Sequence, residues 1–254
     1  MRIRFLGTGY GECKNKKKYS KEFRGRGGVI VDDHLLIDAP LDIFESAGEL
    51  GLEEILNTVT DVLISHSHPG HFSPEAIFKL SHRKKLRVFA SSEVLATLAG
   101  ATNVEKYEIG SFMQFKVGPY TVATLPSNHT TENLSEECFN FIVMADRTLL
   151  YALDGGFFNT RAYNVIHTMH LDAIIFDGAL GTDGASAKSM QHNDLDMLKR
   201  MKSILDGDGV THEKTRFIIS HVPTDKKLEL HEVMSPIAQE NGMTLAYDGY
   251  FARI

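Results

Sequence analysis

The chain of 254 residues has only two cysteines, Cys13 and Cys138. They are far apart and form no Cys-x-x-Cys pair, which excludes a disulfide framework and a cysteine-built zinc site and suits a reducing cytoplasm. No apolar run approaches the length of a membrane span, so insertion into a bilayer is not expected. Residues 1–9 alternate charge with bulk and then turn at glycine instead of running on into the apolar stretch of a secretion signal. The mature protein is therefore expected to begin near Met1. A formal net charge of −6 argues against bulk coating of nucleic acid. No internal repeat, low-complexity tract or Ser/Gly/Pro-rich linker divides the sequence, and one domain over residues 1–254 is the expectation. A homo-oligomer is compatible with all of these features.

Histidine is what the chain has in quantity, twelve in all. Where they fall depends on the pattern of elements. Compact apolar runs at residues 2–6, 28–31, 35–37, 61–65, 86–90, 120–124, 138–144, 149–153, 172–176, 216–220 and 243–246 read as strands. Helical spacing occurs over residues 41–50, 74–82, 93–99, 159–169, 194–205 and 232–240. Residues 7–28, rich in glycine and lysine, read as a loop. So many strands exceed one comfortable small sheet, and the mixture predicts an α/β architecture of two sheets face to face, each covered by helices.

Polar residues able to bind a metal follow directly after several of these runs: Asp38, His66, His129, Asp154, Asp177 and His221. Side chains at strand ends sit on rigid elements and can converge on one edge of the sheets. The segment Ser65-His66-Ser67-His68-Pro69-Gly70-His71 adds two more imidazoles to His66. In extended chain His66 and His68 point the same way, and neutral imidazole suits zinc and similar divalent ions. His71 follows a Pro-Gly turn, just ahead of a helix start with Ser73 as N-cap and Pro74 at the first helical position. The alternative reading is a group of surface histidines in a turn. For Asp154 taken alone it is a capping or turn aspartate before Gly155-Gly156.

The histidine segment resembles the His-x-His-x-Asp-His signature of the metallo-β-lactamase superfamily. Leu36-Ile37-Asp38, Pro126-Ser127-Asn128-His129, Leu153-Asp154-Gly155 and Ser220-His221 are similar to its other landmarks and occur in its order. The resemblance implies a four-layer αββα sandwich with one or two divalent ions, zinc or manganese, in a cleft at the sheet edges. His66, His68 and His129 would bind the first ion, His71 and His221 the second, and Asp154 would bridge them and serve the reaction. Asp38 would accept the other ring proton of a ligand histidine. Gly70 departs from the signature, standing where the family has aspartate, so a weaker second ion or a single ion is expected. Glu75, Asp177 or Asp194 could supply the carboxylate, backbone or solvent could take its place, or the protein could be a catalytically silent metal- or ligand-binding protein.

Within the superfamily the chain is most similar to the branch containing the tRNA 3′-processing ribonuclease and the accessory cyclic-phosphate phosphodiesterase of the carbon–phosphorus lyase pathway. Phe5-Leu6-Gly7-Thr8-Gly9 carries this likeness, with Phe23-Arg24-Gly25-Arg26-Gly27-Gly28 leading to Leu36-Ile37-Asp38-Ala39-Pro40, and His192-Asn193-Asp194 ahead of His221. The cysteine-rich structural zinc site of the cyclic-phosphate enzyme is missing. The branch implies hydrolysis of a small or nucleotide-like phosphodiester, with His192 as general acid or as donor to the phosphoryl group. A helix-entry role is the alternative for His192. Lys14, Lys16, Lys17, Lys18, Lys21, Arg24 and Arg26 form a basic stretch. Of these, Arg24 and Arg26, flanked by glycines, are the expected contacts to a phosphorylated small molecule. A lactone, thioester or β-lactam hydrolase on the same site is the competing activity.

Overall fold

A computed structural model describes residues 1–11, 20–82, 84–184, 186–223 and 230–254. Its strands are β1 Arg2–Gly7, β2 Gly9–Tyr10, β3 Gly28–Val31, β4 Leu35–Ile37, β5 Asp61–Leu63, β6 Leu86–Ala90, β7 Val104–Glu108 and β8 Gln114–Val117. They continue with β9 Tyr120–Pro126, β10 Phe139–Met144, β11 Thr148–Ala152, β12 Ala173–Asp177, β13 Arg216–Ser220, β14 Val222–Pro223, β15 Met243–Leu245 and β16 Phe251–Arg253. The helices are α1 Ile43–Glu49, α2 Glu53–Thr58, α3 Pro74–Ser81, α4 Ser92–Ala96, α5 Thr160–Ile166, α6 Leu195–Gly207 and α7 Leu230–Glu240. All the strands expected from apolar runs are present, with ends moved by at most two residues.

Two seven-stranded sheets form, in the orders β16-β1-β3-β4-β5-β6-β7 and β15-β13-β12-β11-β10-β9-β8. Each is antiparallel on one side and parallel on the other. The change falls after β4 in the first sheet and after β11 in the second. A period of two explains the unbroken apolar runs, because both faces of these strands are covered. Val29, Val31, Leu35 and Ile37 face the space between the sheets with Leu149 and Tyr151. Ile30 and Leu36 face outward onto the layer that includes Ile43, Ala47, Ala76 and Ile77. Leu150 and Ala152 face the layer of Ala162, Leu198, Met201 and Met234. The result is the four-layer αββα sandwich. Among the described residues no helix is long and apolar enough to cross a membrane.

Helix starts follow local chemistry. Asn159 Oδ1 accepts from Ala162 N at 2.9 Å and Asp194 Oδ1 from Met197 N at 2.8 Å, satisfying donors that α5 and α6 leave open. Ser73 holds the N-cap position before Pro74, as expected, although its hydroxyl makes no capping bond. A parallel pair, β2 with β14, crosses from one chain region to the other. It sets Gly9 beside Val222 and Tyr10 beside Pro223, and so ties the first turn to the residues that follow His221.

A buried polar knot supports that crossing. Arg24, 1% exposed, donates to Thr8 Oγ1 at 2.8 Å and to Ala246 O at 2.7 Å. Thr8 Oγ1 in turn donates to Asp248 Oδ1 at 2.8 Å, while Gly25 N donates to Oδ2 at 2.6 Å. Burial pushes the Asp248 carboxyl up to about 7, outweighing the bonds from Gly25 and Thr8 and the charge of Arg24. The unfolded group titrates near 3.8, so between the two values unfolding releases a proton and the fold loses stability as pH rises. Asp248→Asn keeps the shape of the protonated side chain. The difference in melting temperature, variant minus parent, should therefore grow in the variant's favour between about pH 5 and about pH 8. A constant difference across that range would show that Asp248 is ionised throughout.

Candidate metal centre

The site forms where the strands end. After β5 the chain stays extended through Ser65, and Ile64 N bonds Phe89 O at 3.0 Å. The Pro69-Gly70 turn then closes with His71 N and Phe72 N both bonding His68 O, and Ala39 N takes His71 O at 2.7 Å. His71 is thereby folded back against the end of β4. Three other residues are aimed by the backbone itself: Asp38, Asp154 and His221 have φ of 61°, 49° and 55°. Left-handed conformations in non-glycine residues cost on the order of 1–3 kcal/mol each and persist where the surroundings hold them. Here each turns a side chain off a strand end toward the same cleft.

Three groups of donors meet there, each including Asp154, the third with Asp177 and His192. His66 Nε2 lies 3.0 Å from His68 Nδ1 and 3.2 Å from Asp154 Oδ2. His129 Nε2 lies 3.1 Å from His68 Nδ1 and 3.5 Å from the same carboxylate oxygen. Ligands about 2.0–2.1 Å from a tetrahedral zinc ion stand about 3.3–3.4 Å apart, so this set fits such an ion. In the second group His71 Nε2 is 3.1 Å from Asp154 Oδ2 and His221 Nε2 is 2.6 Å from Oδ1. Neither contact has hydrogen-bond geometry, and His71 Nε2, His221 Nε2 and Asp154 Oδ1 are all buried without a hydrogen-bond partner. Orphaned buried polar atoms suit a shared cation, and the 2.6 Å contact would have to open toward about 3.3–3.4 Å to admit one.

Ring protons are taken on the far side. Asp38, fully buried, accepts from His71 Nδ1 at 2.7 Å, from the Tyr151 hydroxyl at 2.7 Å, and from Ser65 N and Oγ at 2.8 and 3.0 Å. Having donated its own proton, Ser65 Oγ is left to accept from His66 Nδ1 at 3.0 Å. That bond leaves the lone pair of His66 Nε2 facing the cleft. Burial pushes His129 down to about 3, outweighing the Asp154 charge, and burial together with the His71 charge pushes His66 down to about 4. Both rings are neutral at neutral pH, as ligands must be. His71 goes the other way. Burial opposes its charge, but Asp154 and Asp38 push it up to about 10. Burial likewise opposes ionisation of Asp154, yet the His221 and His71 rings hold its carboxyl well below the usual range.

His192 joins this cleft. It is 6% exposed, its Nδ1 donates to Asp177 Oδ2 at 2.8 Å, and its ring lies 5.3 Å from that of His129. Burial lowers its pKa, but the bond to Asp177 and the nearby carboxylate charges raise it above the ordinary value. Tyr10, a residue without a signal in the sequence, sets its ring 5.0 Å from His192 and 5.2 Å from His221.

None of the three carboxylates considered for the Gly70 position stands with His71 and His221. Glu75 is exposed and pairs with Lys79 at 2.8 Å. Asp194 caps α6. Asp177 gives Oδ2 to His192 and Oδ1 to Ala179 N at 2.7 Å. Of the two arginines expected to contact substrate, Arg24 is a correction, since it is 1% exposed. Arg24 is buried in the knot under Thr8, with a further bond to His231 Nδ1 at 3.0 Å. Arg26 is gripped by Asp42 through Nε at 2.9 Å and Nη2 at 2.7 Å. Gly25 between them serves packing, since a Cβ there would run into Ser46 Oγ. Lys14, Lys16, Lys17, Lys18 and Cys13 lie outside the described residues, and Lys21 stands 4.7 Å from the centre of the Tyr247 ring.

Because Asp38 fixes two rings at once, Asp38→Asn should keep the bond from Ser65 N and lose the charge. Zinc affinity, measured by competition with a chelator, should fall by about 10- to 100-fold while the far-ultraviolet circular dichroism stays native. Unchanged affinity would show that the cleft does not use His71 or His66.

No protein-family model matches this sequence, and no curated protein matches it. Among solved structures, Zn(2+)-bound PqqB from Methylobacterium extorquens superposes with a TM-score of 0.76 at 17% identity over 100% of both chains. The metallo-β-lactamase fold protein YhfI from Bacillus subtilis gives 0.75 at 15% identity, covering 99% of this chain and 98% of that one. A diphosphatase from the PhnP family gives 0.73 at 16% identity, covering 100% and 97%. Likeness at such low identity is one of architecture, and with the layer order described above it shows that the chain has the metallo-β-lactamase fold.

Proposed function

We propose that the chain is a single-domain, metal-dependent hydrolase that cleaves a small or nucleotide-like phosphodiester. His66, His68, His129 and Asp154 hold one divalent ion, zinc or manganese, and His71, His221 and Asp154 hold a second. The observation that carries this reading is the convergence of these imidazoles on one buried carboxylate beside the Asp177–His192 pair. A core cluster that draws on strands of both sheets supports the single domain. A zinc-bound protein and a diphosphatase among the structural neighbours support the metal and the phosphorus chemistry.

When bound, such an ion lowers the pKa of water from about 16 toward about 7 and polarises the bond under attack. The protein's own part is to position and to move protons. Asp154 turns Oδ2 to His66, His129 and His71 and Oδ1 to His221, and Asp38 and Ser65 hold the Nδ1 protons of His71 and His66 on the outer side. With Nδ1 given to Asp177, His192 presents Nε2 to the leaving oxygen, which takes the proton as its bond to phosphorus breaks. Tyr10 walls the cleft between His192 and His221.

The full chain, loaded with zinc or manganese, should hydrolyse bis(p-nitrophenyl) phosphate, lose that activity to a chelator and regain it with metal. His192→Ala should lower kcat by about 10²- to 10⁴-fold. Turnover of a lactone or β-lactam with none of the diester would overturn the substrate class. Failure to retain any ion after loading would overturn the whole reading.

A further inference from the structure

A hydrogen bond anchors one atom of an imidazole and still lets the ring tilt about that anchor. The bond from His192 Nδ1 to Asp177 Oδ2 at 2.8 Å is such an anchor. It does not by itself aim Nε2. Two other rings lie against His192, those of His129 at 5.3 Å and 59° and of Tyr10 at 5.0 Å and 61°.

Tyr10 also meets the His221 ring, at 5.2 Å and 63°, while the His192 and His221 rings stand 6.3 Å apart and within 24° of parallel. One phenol ring is thus set edge-on to two imidazoles in the same way, at separations within the range of about 4.5–7 Å that aromatic pairs favour. Its backbone is held as firmly. The register of β2 with β14 puts Tyr10 opposite Pro223, two residues past His221. Val222 N bonds Thr8 O at 3.0 Å and Gly9 N bonds Gly25 O at 2.9 Å, while the Thr8 hydroxyl is locked between Arg24 and Asp248. The crossing that ties the first turn to the end of β13 therefore ends in this ring.

We propose that Tyr10 is a positioning residue for proton delivery: its ring blocks the tilt that the Asp177 bond allows His192 and so keeps Nε2 on the leaving oxygen. This rests on the phosphodiesterase reading above. The phenol itself takes no part in the transfer. The proton passes from Nε2 to the leaving oxygen, which keeps the electron pair of the breaking bond to phosphorus.

The test compares two diesters, because p-nitrophenolate leaves with little help from a proton and phenolate needs one. In the full chain Tyr10→Ala should lower kcat on diphenyl phosphate by about 10²-fold, the cost of a misplaced group, and on bis(p-nitrophenyl) phosphate by only about tenfold, with KM little changed. In a His192→Ala background the same substitution should cost nothing further. Tyr10→Phe, which keeps the ring, should recover what Tyr10→Ala loses. If Tyr10→Ala loses its native circular dichroism, Tyr10→Leu, with apolar bulk but no planar ring, is read in its place. Equal losses on the two diesters, or a loss that adds to that of His192→Ala, overturns the proposal, since the ring then acts through His221 or through packing. Failure of Tyr10→Phe to recover the loss also overturns it, because the role would then belong to the hydroxyl. A readout independent of turnover is the magnetic resonance relaxation of the His192 Cε1–H group in the full chain, with zinc and without. Its order should drop in Tyr10→Ala and return in Tyr10→Phe, and an unchanged order overturns the proposal. Absence of diester turnover in the unmodified chain overturns the reaction assigned above and leaves the ring order to decide whether Tyr10 holds His192.

Discussion

Asp154 places one buried carboxylate within 4 Å of five imidazoles, at 3.2 Å from His66, 3.1 Å from His71, 3.5 Å from His129, 3.8 Å from His192 and 2.6 Å from His221. A buried charge must be matched, and five rings crowding it must not all bring protons. Much of the surrounding structure answers that demand. Asp38 and Asp177 draw ring protons of His71 and His192 to the outer side, and Ser65 does the same for His66. The left-handed backbone at Asp38, Asp154 and His221 keeps the side chains on one edge. The two sheets then act as a frame whose parallel halves end together at the cleft.

Much of this frame is legible in the sequence because burial on both faces writes itself as continuous apolar runs. The polar residue that ends each run, whether Asp38, His66, Asp154 or Asp177, sits at the cleft for the same reason. What escapes is what has no such signature. β7 reads Val-Glu-Lys-Tyr-Glu and lies at a sheet edge with its last three residues exposed, and a charged edge strand resembles a loop. β2 and β14 are two residues each, and α2 is six, too short to show a period. Tyr151 is invisible as a partner of Asp38 because its hydroxyl lies within a strand that otherwise reads as core.

Arg24 shows most plainly where sequence logic fails. Glycines around Arg24 and Arg26 suggest a loop able to approach a phosphate, yet the same composition serves a close crossing of chain segments. Ser46 leaves no room for a side chain at position 25, Asp42 holds one guanidinium, and Thr8 and Ala246 hold the other. Charge in a sequence gives no sign of which partner has already claimed it. His192 is the converse: a residue with two equal readings becomes part of the cleft once Asp177 is seen to hold it.

The spread of the donors along the chain orders their arrival. His66, His68, His129 and Asp154 all precede β12, whereas His221 follows β13, which lies between β12 and β15 in the finished sheet. A polypeptide emerging from its N-terminus thus has every donor of the first group in hand while the second still lacks one. The two groups are therefore of different contact range: the first is complete within the chain up to β12, and the second closes only across β13.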